Sequence, residues 1–182
     1  MARIPLPAPE IMTPDQRRVY DAIVSGPRKT LVGPLRAALH IPELADKWQQ
    51  FGELLRYRTS LPPRLSELAI LVTARHTNSQ LEWFIHEQTA RTAGLEDAVI
   101  ASVKKRERPQ GADADVLAIY DYARELNERD TVSGAVHKAV AERFKVAGVV
   151  ELTALIGYYT MVAMTLNAHE IPLPDGAKPP LD

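Results

Sequence analysis

The chain has 182 residues, 46% of them hydrophobic, with 22 Lys and Arg against 23 Asp and Glu and a formal net charge of -1. That length and apolar share fit one globular domain with a substantial core, and a near-neutral balance with no long basic run argues against nucleic acid as a partner. There is no cysteine, which excludes disulfides, thiolate metal sites, iron–sulfur clusters and cysteine nucleophiles.

The first residues, MARIPLPAPEIMTPDQ, lack a basic segment followed by an apolar run and a small-residue cleavage site, so no secretory signal is read there. Pro5, Pro7 and Pro9 give an extended start. Thr13-Pro14-Asp15-Gln16 then supplies an N-cap, a proline at the first helical position and a glutamine three residues after the cap, opening a helix that ends near Ser25-Gly26-Pro27. Pro34 and Pro42 open two more helices, the second running through Trp48, Phe51 and Leu55 to about Tyr57. Leu61-Pro62-Pro63 turns into the apolar segment LSELAILVTARH, and NSQLEWFIHEQTARTAG follows, closed by Gly94.

LEDAVIASVKK reads as a short helix, whose basic end Lys104-Lys105-Arg106 is a solvated terminus. After the polar break RERPQGAD, Leu117, Tyr120, Ala123 and Leu126 recur at helical spacing. SGAVHKAVAERF is another helix, and GVVELTALIGYYTMVAMTLNAH a long apolar one whose Gly157 suits central packing. No segment reads as a strand. The fold class is all-α, about seven to nine helices in a single domain, with residues 1–32 an N-terminal extension and first helix, 33–174 the helical domain and 175–182 a C-terminal tail. The apolar stretches are broken by Glu, Arg or His before membrane-spanning length, so a soluble, cytoplasmic protein with no membrane partner is expected.

Within LSELAILVTARH, Glu67 stands among Leu65, Leu68, Ala69, Ile70 and Val72, so the helix is expected to be buried and its carboxylate paired, protonated or facing a cavity. Arg64, Leu71 and Arg75 share its stripe. In the next segment Ser79, Glu82 and His86 stand at i, i+3 and i+7, one narrow stripe if all are helical. His86 is a natural partner for Glu67.

These residues carry a resemblance. LPPRLSELAILVTAR, LEWFIHEQTARTAGL and GYYTMVAMTLNAHEIPLP are similar to the carboxymuconolactone decarboxylase family, which also contains the AhpD-like alkylhydroperoxidases, over roughly Gly33 to Pro174. AhpD-like members carry a Glu, a Cys-x-x-Cys pair and a His four residues after the second Cys. Glu67 and His86 match that Glu and that His, while Ser79 and Glu82 occupy the cysteine positions. The E-W-x-x-H run Glu82 to His86 looks like the decarboxylase side of the family.

The resemblance implies an AhpD-like helical fold assembled into trimers or hexamers and a cofactor-free decarboxylation of a small anionic lactone. His86 would be the acid, since imidazole exchanges protons near neutrality. Glu67 would hold one ring nitrogen, and Glu82 would be a second local carboxylate. Arg64 and Arg75 would bind substrate carboxylates, with Ser79 and His76 on the same wall.

Plainer readings stand beside this. Glu82 and His86 could be an i, i+4 pair on a wet face, Glu67 an ion pair with Arg64, and His76, His40, His137 and His169 ordinary surface or helix-end residues. A metal held by His76, Glu82 and His86 is conceivable, but the spacing is not diagnostic and His76 lies across a helix break, so none is expected. The alternatives to a lyase are a peroxidase-like assignment without its redox cysteines and a non-catalytic oligomeric small-molecule-binding protein. Self-association is expected to cover some of Leu155, Tyr158, Tyr159, Val162 and Leu166.

Overall fold

Each of the first four α-helices starts on a proline. A proline lacks the N–H that a first turn leaves unpaired, and its fixed φ suits the helix. In the computed structural model, which describes residues 2–31 and 33–182, these are α1 (Pro14–Ser25), α2 (Pro34–Ala38), α3 (Pro42–Tyr57) and α4 (Pro63–His76), preceded by a 3-10 turn at Pro9–Ile11. The expected boundary between residues 32 and 33 falls beside Val32, which lies outside the described residues. At Thr13 the capping box forms in both directions, Thr13 N donating to Gln16 Oε1 at 3.0 Å and Gln16 N to Thr13 Oγ1 at 3.3 Å.

The remaining helices are α5 (Gln80–Thr92), α6 (Asp97–Lys104), α7 (Ala114–Arg129) and α8 (Gly134–Ala168), and no strand occurs among the described residues. The domain is therefore all-α, with eight α-helices among the described residues. α4 is the hub, packing on α5, α6, α7 and α8. Every residue from Leu65 to Arg75 is buried, as its apolar circumference predicts.

The turn between α4 and α5 sets up the site. Asn78 has φ +51°, a left-handed value that asparagine tolerates better than most residues. Its N–H donates to Arg75 O at 3.3 Å and that of Ser79 to Ala74 O at 2.9 Å, closing α4 with a Schellman motif. The chain reverses in three residues, so α5 folds back on α4 as a helical hairpin. Gly94 (φ +87°) closes α5 in the same way, with Gly94 N on Arg91 O and Leu95 N on Ala90 O.

The two helices expected after Ser133 are both present and run together as α8, separated by a kink at Lys145, where φ is 63° and ψ is -179°. α8 is long and apolar enough to cross a membrane by length and composition, a criterion the sequence reading took as unmet. Half of its most apolar window is buried inside the molecule, and α4, α7, α3 and α5 pack on it. Two expectations about this helix are corrected. Leu155, Tyr158, Tyr159, Val162 and Leu166 are already buried by their own chain, because they form the side of α8 that meets the hub. Gly157 is not a packing contact either, since a Cβ there would meet nothing within 4 Å. Apolar residues left uncovered include Val146, Val150, Met161 and Met164 on α8, and Ile41, Leu44, Phe51, Leu54 and Tyr57 beside and along α3.

The last residues dock rather than trail. Leu181 is buried, its N–H and C=O bonded to the Gln80 side-chain amide at 3.0 and 3.2 Å, and the Asp182 carboxylate reaches Arg75 at 2.7 Å.

Candidate functional site

The hairpin of α4 and α5 brings Glu67 against His86, with Nδ1 of the ring 2.7 Å from Oε2 of the carboxylate. Both residues are 5% exposed. A carboxylate accepts, so the shared proton belongs to Nδ1, leaving Nε2 as the ring nitrogen free to exchange protons with a ligand. The imidazole edge is fixed from a third helix by Tyr159 of α8, in T-shaped contact at 4.9 Å between ring centroids.

His86 lines a cavity of about 80 Å³, together with Glu82 of α5, Arg56 of α3, Tyr158 and Tyr159 of α8 and Arg28 from the segment after α1. Leu81, Val162 and Leu166 supply its apolar wall. Glu82 is 1% exposed and neither of its oxygens has a hydrogen-bond partner. Burial pushes its carboxyl well above the usual carboxylate range, which favours the protonated form, with an O–H to donate. Burial likewise raises the Tyr158 and Tyr159 phenols, keeping both as donors. For Arg56, burial opposes the charge, but Tyr159, Tyr57 and Glu67 outweigh it and hold the guanidinium above its ordinary value.

The two cations are not matched by carboxylates of their own. Arg28 reaches the Tyr158 hydroxyl at a long 3.4 Å and its buried Nε has no partner. Neither Arg28 nor Arg56 forms an ion pair among the described residues, and the nearby Glu67 is engaged by His86. A cavity with two such guanidiniums and neutral donors is complementary to an anion.

Gly52 of α3 makes room for this arrangement. A Cβ there would lie 2.0 Å from the Tyr158 hydroxyl and 2.4 Å from Arg28 Nη2. Gly52→Ala is therefore expected to displace both groups. The outcome to measure is at least about tenfold weaker binding of a small dicarboxylate by calorimetry, the scale of a disturbed charged hydrogen bond, although alanine favours the helix itself. Unaltered affinity would mean that Arg28 and Tyr158 do not hold the ligand.

Of the residues singled out from sequence, Glu67, Glu82 and His86 come together. Four others do not. Arg64 pairs with Asp113 at 2.9 Å, at the N-cap of α7. Arg75 is bound to Lys104 O at 2.6 Å, Asn78 Oδ1 at 2.8 Å and Asp182. Both were assigned to the cavity because they share the Glu67 stripe, yet their long side chains run to opposite ends of α4. His76 lines a different cavity, with Arg75. Ser79 precedes the first turn of α5, so its stripe with Glu82 and His86 is not helical throughout; it is fully buried with its hydroxyl unpartnered, away from the cavity lining. Arg28, Arg56, Tyr158 and Tyr159 were not found from sequence. The one local signal was Gly52, a glycine in mid-helix that costs stability unless something must approach closely.

No family model and no curated protein matches the chain. Among solved structures it is similar to the crystal structure of an alkylhydroperoxidase AhpD core, an uncharacterized peroxidase-related protein from Ralstonia eutropha JMP134. The TM-score is 0.78 at 15% identity, over 96% of this chain and 93% of that one. A likeness at that identity speaks to architecture, and the architecture of this chain is the AhpD-like helical fold.

Proposed function

We propose that the protein is a cofactor-free decarboxylase, or a related carbon–carbon lyase, acting on a small anionic ring compound such as a carboxylated lactone. The observation that carries this reading is the buried Glu67–His86 contact opening onto a cavity with two guanidiniums. In this reading Arg28 and Arg56 hold the substrate carboxylates. The bond from ring carbon to the departing carboxylate breaks, its electron pair passes into the unsaturated lactone, and carbon dioxide leaves. Tyr159 and neutral Glu82 donate hydrogen bonds to the oxygen that becomes negative. His86 then delivers a proton to the product carbon, Glu67 having stabilised the imidazolium, and is reprotonated from water.

The test is purified protein incubated with carboxymuconolactone and assayed for carbon dioxide. Release above the uncatalysed rate, lost in Arg56→Gln, supports a lyase. Tight binding with no release favours instead a small-molecule-binding protein that keeps the pocket and lacks the reaction. Thiol-based reduction of hydroperoxides has no nucleophile in a chain without cysteine.

Self-association belongs to the same proposal. What supports it is the run of exposed Val146, Val150, Met161 and Met164 along one side of α8, beside exposed Phe51 and Leu54 on α3. A second copy of the chain is the expected cover, and the family resemblance points to a trimer or hexamer. Sedimentation at micromolar concentration should give a species larger than the monomer, and Met164→Glu should dissociate it. A wild-type monomer would overturn this.

A further inference from the structure

The arginine and histidine that fall outside the main cavity line one of their own. At the far end of α4 from Arg64, Arg75 and His76 border a cleft of about 60 Å³ that also involves Arg106 after α6 and Tyr120 and Arg124 of α7. Val72 and Val103 contribute apolar lining. Three guanidiniums from three separate parts of the chain thus meet around one space.

Their local bonds leave donors over. Arg75 is fixed rigidly by Lys104 O and Asn78 Oδ1, and directs Nη2 to the Asp182 carboxylate, which is itself largely solvent-exposed. That contact shows that the Arg75 fork accepts an oxyanion from outside the helix. Arg124 has a buried Nε with no partner in the protein. Neither Arg106 nor Arg124 forms an ion pair among the described residues, although Glu128 lines the same cleft. Burial raises the Tyr120 phenol and keeps it a donor. Asn127 is already committed, its amide donating to Thr73 Oγ1 and Ala123 O.

We propose that this cleft is a second ligand site, taking a small tetrahedral dianion of the phosphate class between Arg75, Arg106 and Arg124. Planar guanidiniums present donors in a fixed fork, and a tetrahedral dianion has enough oxygens to engage several forks at once, which a single carboxylate does not. Glu128 and Asp182 leave an excess of positive charge among the groups that face the space. Asp182 is then a competitor for Arg75 rather than part of the site.

Inorganic phosphate is the probe, titrated into the whole chain by calorimetry at constant ionic strength. Saturable one-site binding is expected, weakened about tenfold or more by Arg106→Gln and by Arg124→Gln, tightened by Asp182→Asn and unchanged by Arg56→Gln in the main cavity. Arg106 is exposed, so its variant should keep the fold even if the Arg124 variant does not, and circular dichroism checks each. Absence of saturable binding overturns the proposal. So does binding that Arg56→Gln weakens and Arg106→Gln leaves alone, because phosphate would then occupy the main cavity. Neither outcome bears on whether the main cavity is a lyase site.

Discussion

His86→Gln is expected to lower turnover by about 10²–10⁴-fold, the usual contribution of a positioned general acid, while the affinity for a dicarboxylate ligand changes only a few-fold. The split follows from the division of labour in the cavity. Arg28 and Arg56 supply the charge that binds an anion, and neither depends on the imidazole for a hydrogen bond. Glutamine can fill the volume and accept or donate, but it cannot cycle a proton. Glu67→Gln should cost less than His86→Gln, because an amide oxygen can still accept from Nδ1 while losing the charge that favours the imidazolium. Carbon dioxide release and calorimetry on the same samples separate the two effects. Turnover surviving within a few-fold in His86→Gln would remove the acid from the mechanism. The double variant Glu67→Leu/His86→Leu is the folding control: a buried polar pair replaced by apolar residues of similar size is commonly neutral or stabilising, whereas removal of one partner strands the other.

How far this site could be read in advance depends on the range of each signal. Helix starts at Pro14, Pro34, Pro42 and Pro63 are local chemistry, and the sequence shows them directly. The meeting of Glu67 and His86 was legible because an acid inside an apolar helix demands a partner, and a short connection places the next helix alongside. Arg28 and Arg56 had no such mark. One precedes α2 and the other ends α3, in polar settings that look like ordinary surface, and only packing of α3 on α8 turns them toward Tyr158 and Tyr159. Arg64 and Arg75 misled for the opposite reason. A shared stripe fixes where the Cβ atoms lie, but a long side chain goes to the nearest strong acceptor, here Asp113 for one and Lys104 O with Asp182 for the other. The break at Lys145 was legible as a gap between two helical segments, SGAVHKAVAERF and GVVELTALIGYYTMVAMTLNAH, although no proline marks it and only its left-handed φ was hidden.

Glu82→Gln should make the protein more stable than wild type at neutral pH, with the advantage vanishing in acid. Glu82 is buried without a partner, and burial holds its carboxyl above the value of 4.5 expected in the unfolded chain. The folded state therefore binds a proton that the unfolded state has released once the pH exceeds that value. Below it both states are protonated, and the carboxyl contributes its full share. As the pH rises toward the folded-state pKa, wild type loses up to about 1.4 kcal/mol per unit relative to a side chain that does not titrate. Glutamine has nearly the same shape and does not titrate, so the variant should show a flatter dependence of stability on pH. Urea unfolding at intervals from pH 4 to pH 8 measures it, as a gap between the two proteins that opens with rising pH. Parallel curves would mean that Glu82 ionises equally in both states, and that the cavity is wetter than its burial indicates. The same variant also bears on chemistry: an amide N–H can replace the O–H of a neutral acid as a donor to substrate. Glu82→Gln should then retain ligand affinity where Glu82→Leu loses it. Equal affinity in the two variants would remove Glu82 from contact with the ligand and leave it a cost to folding with no return.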